Sequence, residues 1–212
     1  MCWHSWAKPS SPARSPLRLK RLRRCRNWRA RSAAKADQTA LSNQHSASQT
    51  AFLKAELGRR LKTLTGHIER LDAEIERRLG ADPALKRRFD ILITIPGVGP
   101  VAALALVVGL PELGACSAKA ATLLAGLAPL ACDSGEKAGE RHIKGGRAFV
   151  RTGLYFAAIA AARFNPQLSD DYKRLRNAGK KAKVAITAIM RKLVVLANVL
   201  IKEDRPWKPI HA

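Results

Sequence analysis

The side chains best suited to chemistry lie in one stretch, Cys132-Asp133-Ser134-Gly135-Glu136-Lys137-Ala138-Gly139-Glu140-Arg141-His142-Ile143-Lys144-Gly145-Gly146-Arg147. One hydroxyl, Ser134, sits beside a glycine. Lys137, Arg141, Lys144, Arg147 and Arg151 follow it within seventeen residues. A serine that attacks a phosphodiester needs such surroundings. The phosphate repels an incoming oxygen, and the pentavalent transition state carries still more negative charge. Guanidinium groups in a water-poor site offset both. The hydroxyl must also lose its proton, to His142 or to a metal-bound group. Arg147 and Arg151 are spaced i, i+4 and share one face of the helix that follows. On residue types alone the signal is weak, since Ser-Gly in a loop is most often only a turn.

Other nucleophiles fit less well. Tyr155 and Tyr172 are the only tyrosines. Tyr155 lies among Leu154, Phe156 and Ile159 on an apolar helix and reads as a core or backbone-contacting residue. Tyr172 follows Asp170-Asp171, a poor place from which to approach a phosphate. His67 reads as a surface residue. Cys2, Cys25, Cys116 and Cys132 show no CxxC spacing, so neither a structural zinc nor a disulfide framework is expected.

A second motif binds rather than reacts. Ile95-Pro96-Gly97-Val98-Gly99 separates a helix predicted over 84–93 from one that starts at Pro100, which resembles a helix-hairpin-helix. Gly97 and Gly99 would let the backbone turn tightly and present N–H groups to a phosphate oxygen beside a helix N-terminus. Such a contact holds the DNA backbone without reading its sequence. The plain alternative is a tight turn between packed helices. Lys180 and Lys181 in a basic turn and Arg191 on the last helix complete the candidate DNA-binding set.

Charge supports a polyanionic partner. The 212 residues hold 39 Lys+Arg against 16 Asp+Glu, a formal charge of +23. Residues 1–36 carry 11 cations and no acid, and residues 141–212 carry 16 cations and 4 acids. The segment between them is neutral. Aromatics make up only 5% of the chain, which argues against a base-stacking platform. Neither apolar run, 95–110 nor 184–201, is a clean membrane span, because prolines and glycines break the first and Arg191 and Lys192 the second. No secretory signal is evident, and the reading is a cytoplasmic, nucleoid-associated protein.

The elements that must position these groups are helical. Residues 1–50 read as a disordered basic tail, with Pro9, Pro12 and Pro16, an Arg-rich tract and a polar end. Residues 51–82 read as a coiled-coil-like helix. Leu57, Leu61, Leu64, Ile68, Leu71 and Ile75 step by four and three, a heptad seam that predicts an antiparallel or dimeric pair and homo-oligomerisation through residues 57–75. Residues 84–208 read as a compact helical domain. Ser117 caps a helix running to Leu127, packed through Ala120, Ala121, Leu123 and Leu124. Further helices are predicted over 148–163, 168–177 and 182–202. No strand alternation is seen, so the fold class is all-α.

These motifs occur together in a recognisable order. Ile95-Pro96-Gly97-Val98-Gly99, Ala125-Gly126-Leu127-Ala128-Pro129, Asp133-Ser134-Gly135, Ile143-Lys144-Gly145-Gly146-Arg147, Leu154-Tyr155-Phe156-Ala157-Ala158, Arg163-Phe164-Asn165-Pro166, Gly179-Lys180-Lys181-Ala182-Lys183 and Met190-Arg191-Lys192-Leu193 resemble the transposase domain of the insertion-sequence one-ten family and its relative, the one-one-one-one group. The resemblance covers roughly residues 51–208. It implies a site-specific DNA recombinase in which an N-terminal RuvC-like domain with four metal-binding carboxylates is joined through a coiled coil to a helical domain with one serine. Some members use a bridge RNA to choose their DNA. Ser134 corresponds to that serine and would form a phosphoserine intermediate, while Mg²⁺ belongs to the acidic domain.

The expectation for this chain is a partial transposase. It lacks the acidic domain, holds no metal or other cofactor itself, and cuts DNA poorly or not at all alone. Residues 17–50 would answer to a degraded form of the family's connecting helix. The rival readings are a non-catalytic DNA- or RNA-binding helical protein and an inactive remnant. Both account for the charge, but neither accounts for the ordered blocks around Ser134.

Overall fold

A computed structural model describes residues 16–130 and 142–209, with side chains from Asn27 onward, Leu130 excepted. Eight helices make up the described residues, together with one pair of two-residue strands. The fold is all-α, as predicted.

Helix α1 spans Pro16–Ala47 and α2 spans Ala51–Gly80. The expectation of disorder over 1–50 is therefore corrected for residues 16–47. Composition weighs mean charge alone, and α1 gains its order from what it packs on. It folds back antiparallel along α2 in heptad register. Arg31 pairs with Asp72, the Gln38 Nε2 donates to Thr65 Oγ1 at 2.7 Å, and His45 lies beside Gly58. Each step of seven residues up α1 meets a step of seven down α2, the antiparallel form of a heptad seam. Leu57, Ile68 and Ile75 are buried in it, while Leu61, Leu64 and Leu71 stay half-buried. Trp28 carries the pair onto the rest of the protein. It is 4% exposed, and its ring meets Phe149 at 5.3 Å between centroids.

The helical body is built from short helices with clear local signals. Helix α3, Pro83–Ile93, starts on Asp82, whose carboxylate accepts the Leu85 N–H at 3.2 Å, with Pro83 in the first turn. Helix α4, Pro100–Gly109, follows the hairpin. Helix α5, Ala118–Leu124, is capped by the Ser117 hydroxyl, as predicted. It ends earlier than expected, and its packing face differs: Ala121, Ala125 and Leu127 are buried and Leu123 faces out. Helix α6, Ala148–Phe164, stops at Asn165. The Asn165 side chain accepts the Leu168 N–H and so caps α7, Pro166–Asn177. Helix α8 covers Ala182–Lys202.

Helix α6 lies at the centre, packed on α4, α7 and α8. Ala157, Ala158 and Ala161 let its neighbours approach closely, and Leu92, Leu106, Leu154, Ile189 and Leu193 fill the core. Tyr155, read from sequence as core, is instead at the surface, edge-on to Phe156. Helix α8 is the one described helix long and apolar enough to cross a membrane, but half of its most apolar window is buried in this body. Its one buried amide, Asn198, is satisfied. Its oxygen accepts the Gly114 N–H at 2.7 Å, and its nitrogen donates to the Cys116 carbonyl at 2.9 Å. The turn between α4 and α5 is thereby fixed to α8.

Candidate functional site

Ser134, Lys137 and Arg141 lie outside the described residues, but both ends of the segment that carries them are described. Strand β1, Pro129–Leu130, pairs antiparallel with β2, His142–Ile143, and Pro129 faces Ile143. The two ends of that segment therefore lie side by side at one point of the fold. Beneath that point two glycine backbones touch. A Cβ on Gly146 would stand 2.3 Å from the Gly126 nitrogen, and both residues have positive φ. Only glycine allows this approach without displacing main chain.

The two arginines expected to face DNA serve this base. Arg147 grips Glu112 with both guanidinium arms at 2.7 and 2.8 Å and also donates to the Gly109 carbonyl. Its own N–H donates to the Leu124 carbonyl at 2.9 Å. Glu112 also feels Arg88, whose guanidinium donates to the Pro111 and Leu113 carbonyls. Burial pulls the Arg88 pKa down, and Glu112 partly offsets that. Arg151 donates to the Gly126 and Gly145 carbonyls. Arg147 is the extended residue that precedes α6 and Arg151 lies in the first turn of that helix, and both guanidiniums bind protein. Glu112 is the partner that sequence reasoning missed. Its being the one acid between Asp90 and Asp133 was the available signal.

The hairpin also divides its glycines. Gly97, at φ +94°, is pressed against α6. A Cβ there would lie 2.4 Å from the Ala161 nitrogen. Gly99, at φ −85°, is exposed, has open space around it and caps α4. Ile95 and Val98 are buried, so the hairpin is a packing joint whose outer surface offers Gly99 and the first turn of α4. Gly97 meets the C-terminal end of α6, and the loop base meets its N-terminal end. At 1.5 Å per residue these features are about 20 Å apart.

The remaining candidates are at the surface. Lys144 is exposed just beyond β2, and Lys180 and Lys181 are exposed in the turn between α7 and α8. Arg176 donates to the Lys180 carbonyl at 2.6 Å and steadies that turn. Arg191 is half-buried in a groove shared with Lys119, Lys192 and Asp171. Burial works to raise the Asp171 pKa, but its bonds to Lys192 and Arg174 prevail and hold the carboxyl below its usual range. Among the described residues no cluster of three or more His, Cys, Asp or Glu side chains could hold a metal ion.

Residues 89–173 match a family described as Transposase IS116/IS110/IS902 family. The segment runs from α3 through most of α7 and includes Ser134. The chain is 31% identical over 166 residues to the "Pilin gene-inverting protein" of Moraxella bovis, covering 76% of this chain and 51% of that one. The protein of the same name from Moraxella lacunata gives the same identity and coverage. The "Insertion element IS900 uncharacterized 42 kDa protein" of Mycobacterium paratuberculosis is 28% identical over 164 residues, 75% of this chain and 40% of that one. The chain spans about half the length of the curated relatives it matches, or less.

Proposed function

Since this chain carries a domain of the transposase IS116/IS110/IS902 family, we propose that it acts in DNA transposition or site-specific recombination, with Ser134 as the nucleophile. The supporting observation is the loop base. The two strands that flank the segment with one serine and several cations are paired, over two touching glycines, with Arg147 and Arg151 bracing the join.

In the proposed step the Ser134 hydroxyl loses its proton, with His142 as the acceptor within this chain. The oxygen bonds to phosphorus and the bond to the departing strand oxygen breaks. That oxygen keeps the electron pair and takes a proton. Lys137, Arg141 and Lys144 offset the charge that builds on phosphorus. Arg147 and Arg151 position the loop. The described residues do not form a Mg²⁺ site. The carboxylates that would hold one are expected on an acidic domain. The wider proposal is a cytoplasmic, nucleoid-associated protein that binds DNA, takes a bridge RNA and pairs with a second copy along the half-buried leucines of α2.

The test is formation of a denaturant-resistant protein–DNA adduct. The substrate is plasmid DNA carrying the sequences that flank this reading frame. The chain is assayed alone and with an acidic domain supplied from a full-length relative. An adduct that needs Ser134 supports the reading. No adduct in the supplemented reaction, or one that survives Ser134→Ala, overturns it.

DNA binding gives a separate prediction. Lys180→Gln with Lys181→Gln should lower the slope of log affinity against log salt by about 2, roughly one counterion per lost phosphate contact. Arg147→Gln should leave that slope unchanged. It should instead cost about 2 kcal/mol of stability, because Glu112 and the Gly109 carbonyl lose a charged donor. Salt-titrated fluorescence anisotropy and urea unfolding read the two effects. A flattened slope for Arg147→Gln at full stability would return that residue to the DNA surface.

A further inference from the structure

A groove of about 860 Å³ runs between α1 and the face made by the start of α4 and the middle of α6. Its walls are mainly apolar. Phe156 is 75% exposed beside it and Val101 44%, with Phe149 on the same wall. Phe156, Val101 and Phe149 together leave a contiguous apolar wall open, and such a patch marks a binding surface better than a single exposed ring does. Lys35 is exposed along the α1 side, beside Arg31, whose charge is taken up by Asp72, and Gly99 and Pro100 bring the N-terminus of α4 to the other. Trp28 also lines the groove. Its indole N–H is fully buried and has no acceptor among the described residues. Buried donors of this kind are rare and call for a partner.

A flat apolar wall with an exposed ring, a lysine at its rim, a helix N-terminus and a buried donor without an acceptor among the described residues together match one kind of ligand. We infer that the groove binds unpaired nucleotides of a nucleic-acid strand. A base stacks on Phe156 against Val101, and a neighbouring phosphate lies between Lys35 and the first turn of α4. A duplex keeps its bases stacked inside and has none to offer Phe156. Charge complementarity favours this occupant, because the chain carries +23, Lys35 is exposed at the rim, and no acid among the described residues lines the groove. The low aromatic content argued against a base-stacking platform, but one ring placed at a cationic groove is enough for a single base. The inference rests on the reading of the chain as a nucleic-acid binder and does not depend on Ser134.

The test compares oligo(dT) and oligo(U) of fifteen nucleotides with a fifteen-base-pair duplex, using the full chain and fluorescence anisotropy. Phe156→Ala should weaken the single strands roughly 5- to 100-fold, the range expected for one lost base stack, and leave the duplex within twofold. Phe156→Trp should restore single-strand binding. Ultraviolet cross-linking to oligo(dT) should label the tryptic peptide from Thr152 to Arg163, which holds Tyr155 and Phe156. Equal sensitivity of both single strands identifies the shared chemistry, and a stronger effect on one identifies DNA or RNA as its source. Unchanged or equally reduced binding of strand and duplex overturns the inference and leaves the Ser134 reading untouched. Failure to bind either strand overturns it as well, and failure to bind duplex in addition removes the proposed function with it.

Discussion

Ser134→Ala is expected to eliminate the covalent protein–DNA adduct and strand transfer, a loss of roughly 10⁴-fold or more. Removing an attacking group removes the chemical step rather than weakening it. DNA affinity and its salt dependence should stay within twofold, because phosphate contacts are made by cations and not by this hydroxyl. The combination is diagnostic. A variant that merely disturbed the loop would lose binding through the displaced Lys137, Arg141 and Lys144. Ser134→Cys should keep a trace of adduct and Ser134→Thr less, since the added methyl group crowds the approach to phosphorus. Quantitative gel analysis of labelled DNA reads all of these. A Ser134→Ala protein that still transfers strands would move the nucleophile elsewhere.

The second large effect is on folding. Gly97→Ala should cost about 3–5 kcal/mol, from a positive-φ alanine and a Cβ driven into the α6 backbone. For a chain of this size that lowers the melting temperature by about 10 °C. Gly99→Ala, two residues away, should cost about 1 kcal/mol or less, because its φ is ordinary and the space around it is open. The contrast separates the two uses of the hairpin. If both glycines served DNA, both variants would keep their stability and lose affinity. Calorimetry with equal melting temperatures for the two variants would refute the packing joint.

Much of the architecture was legible from local pattern. The cap at Ser117, Pro100 after the hairpin and the helices predicted over 84–93, 148–163, 168–177 and 182–202 match the observed boundaries to within a residue or two, the end of α5 excepted. Short-range chemistry decides such features, and spacing records it. Helix α1 was hidden because its order depends on residues 27 and 41 positions away: Thr65 for Gln38 and Asp72 for Arg31. Its charge, read alone, argues for disorder. Tyr155 was misplaced for a related reason, since the apolar residues around it surround the helix and do not say which side meets the core. The seam on α2 was visible, but the helix that lies on it was not.

The site divides the same way. The glycines and cations around Ser134 are plain in the sequence, and so is the i, i+4 spacing of Arg147 and Arg151. What spacing does not show is the partner of each charge. Glu112 is 35 residues from Arg147, and the Gly126–Gly146 contact joins two turns through main chain. These tertiary contacts make the two arginines braces of the loop and leave Lys144, Lys180 and Lys181 as the exposed cations among the described candidates.

The most direct measurement is mass spectrometry of the trapped adduct after nuclease and trypsin digestion. The account places a phosphonucleotide on the peptide from Ala120 to Lys137, with fragment ions locating it at Ser134 and not at Thr122, whose hydroxyl already donates to the Lys119 carbonyl. A nucleotide found on Tyr155, on Tyr172 or on any other peptide would contradict it.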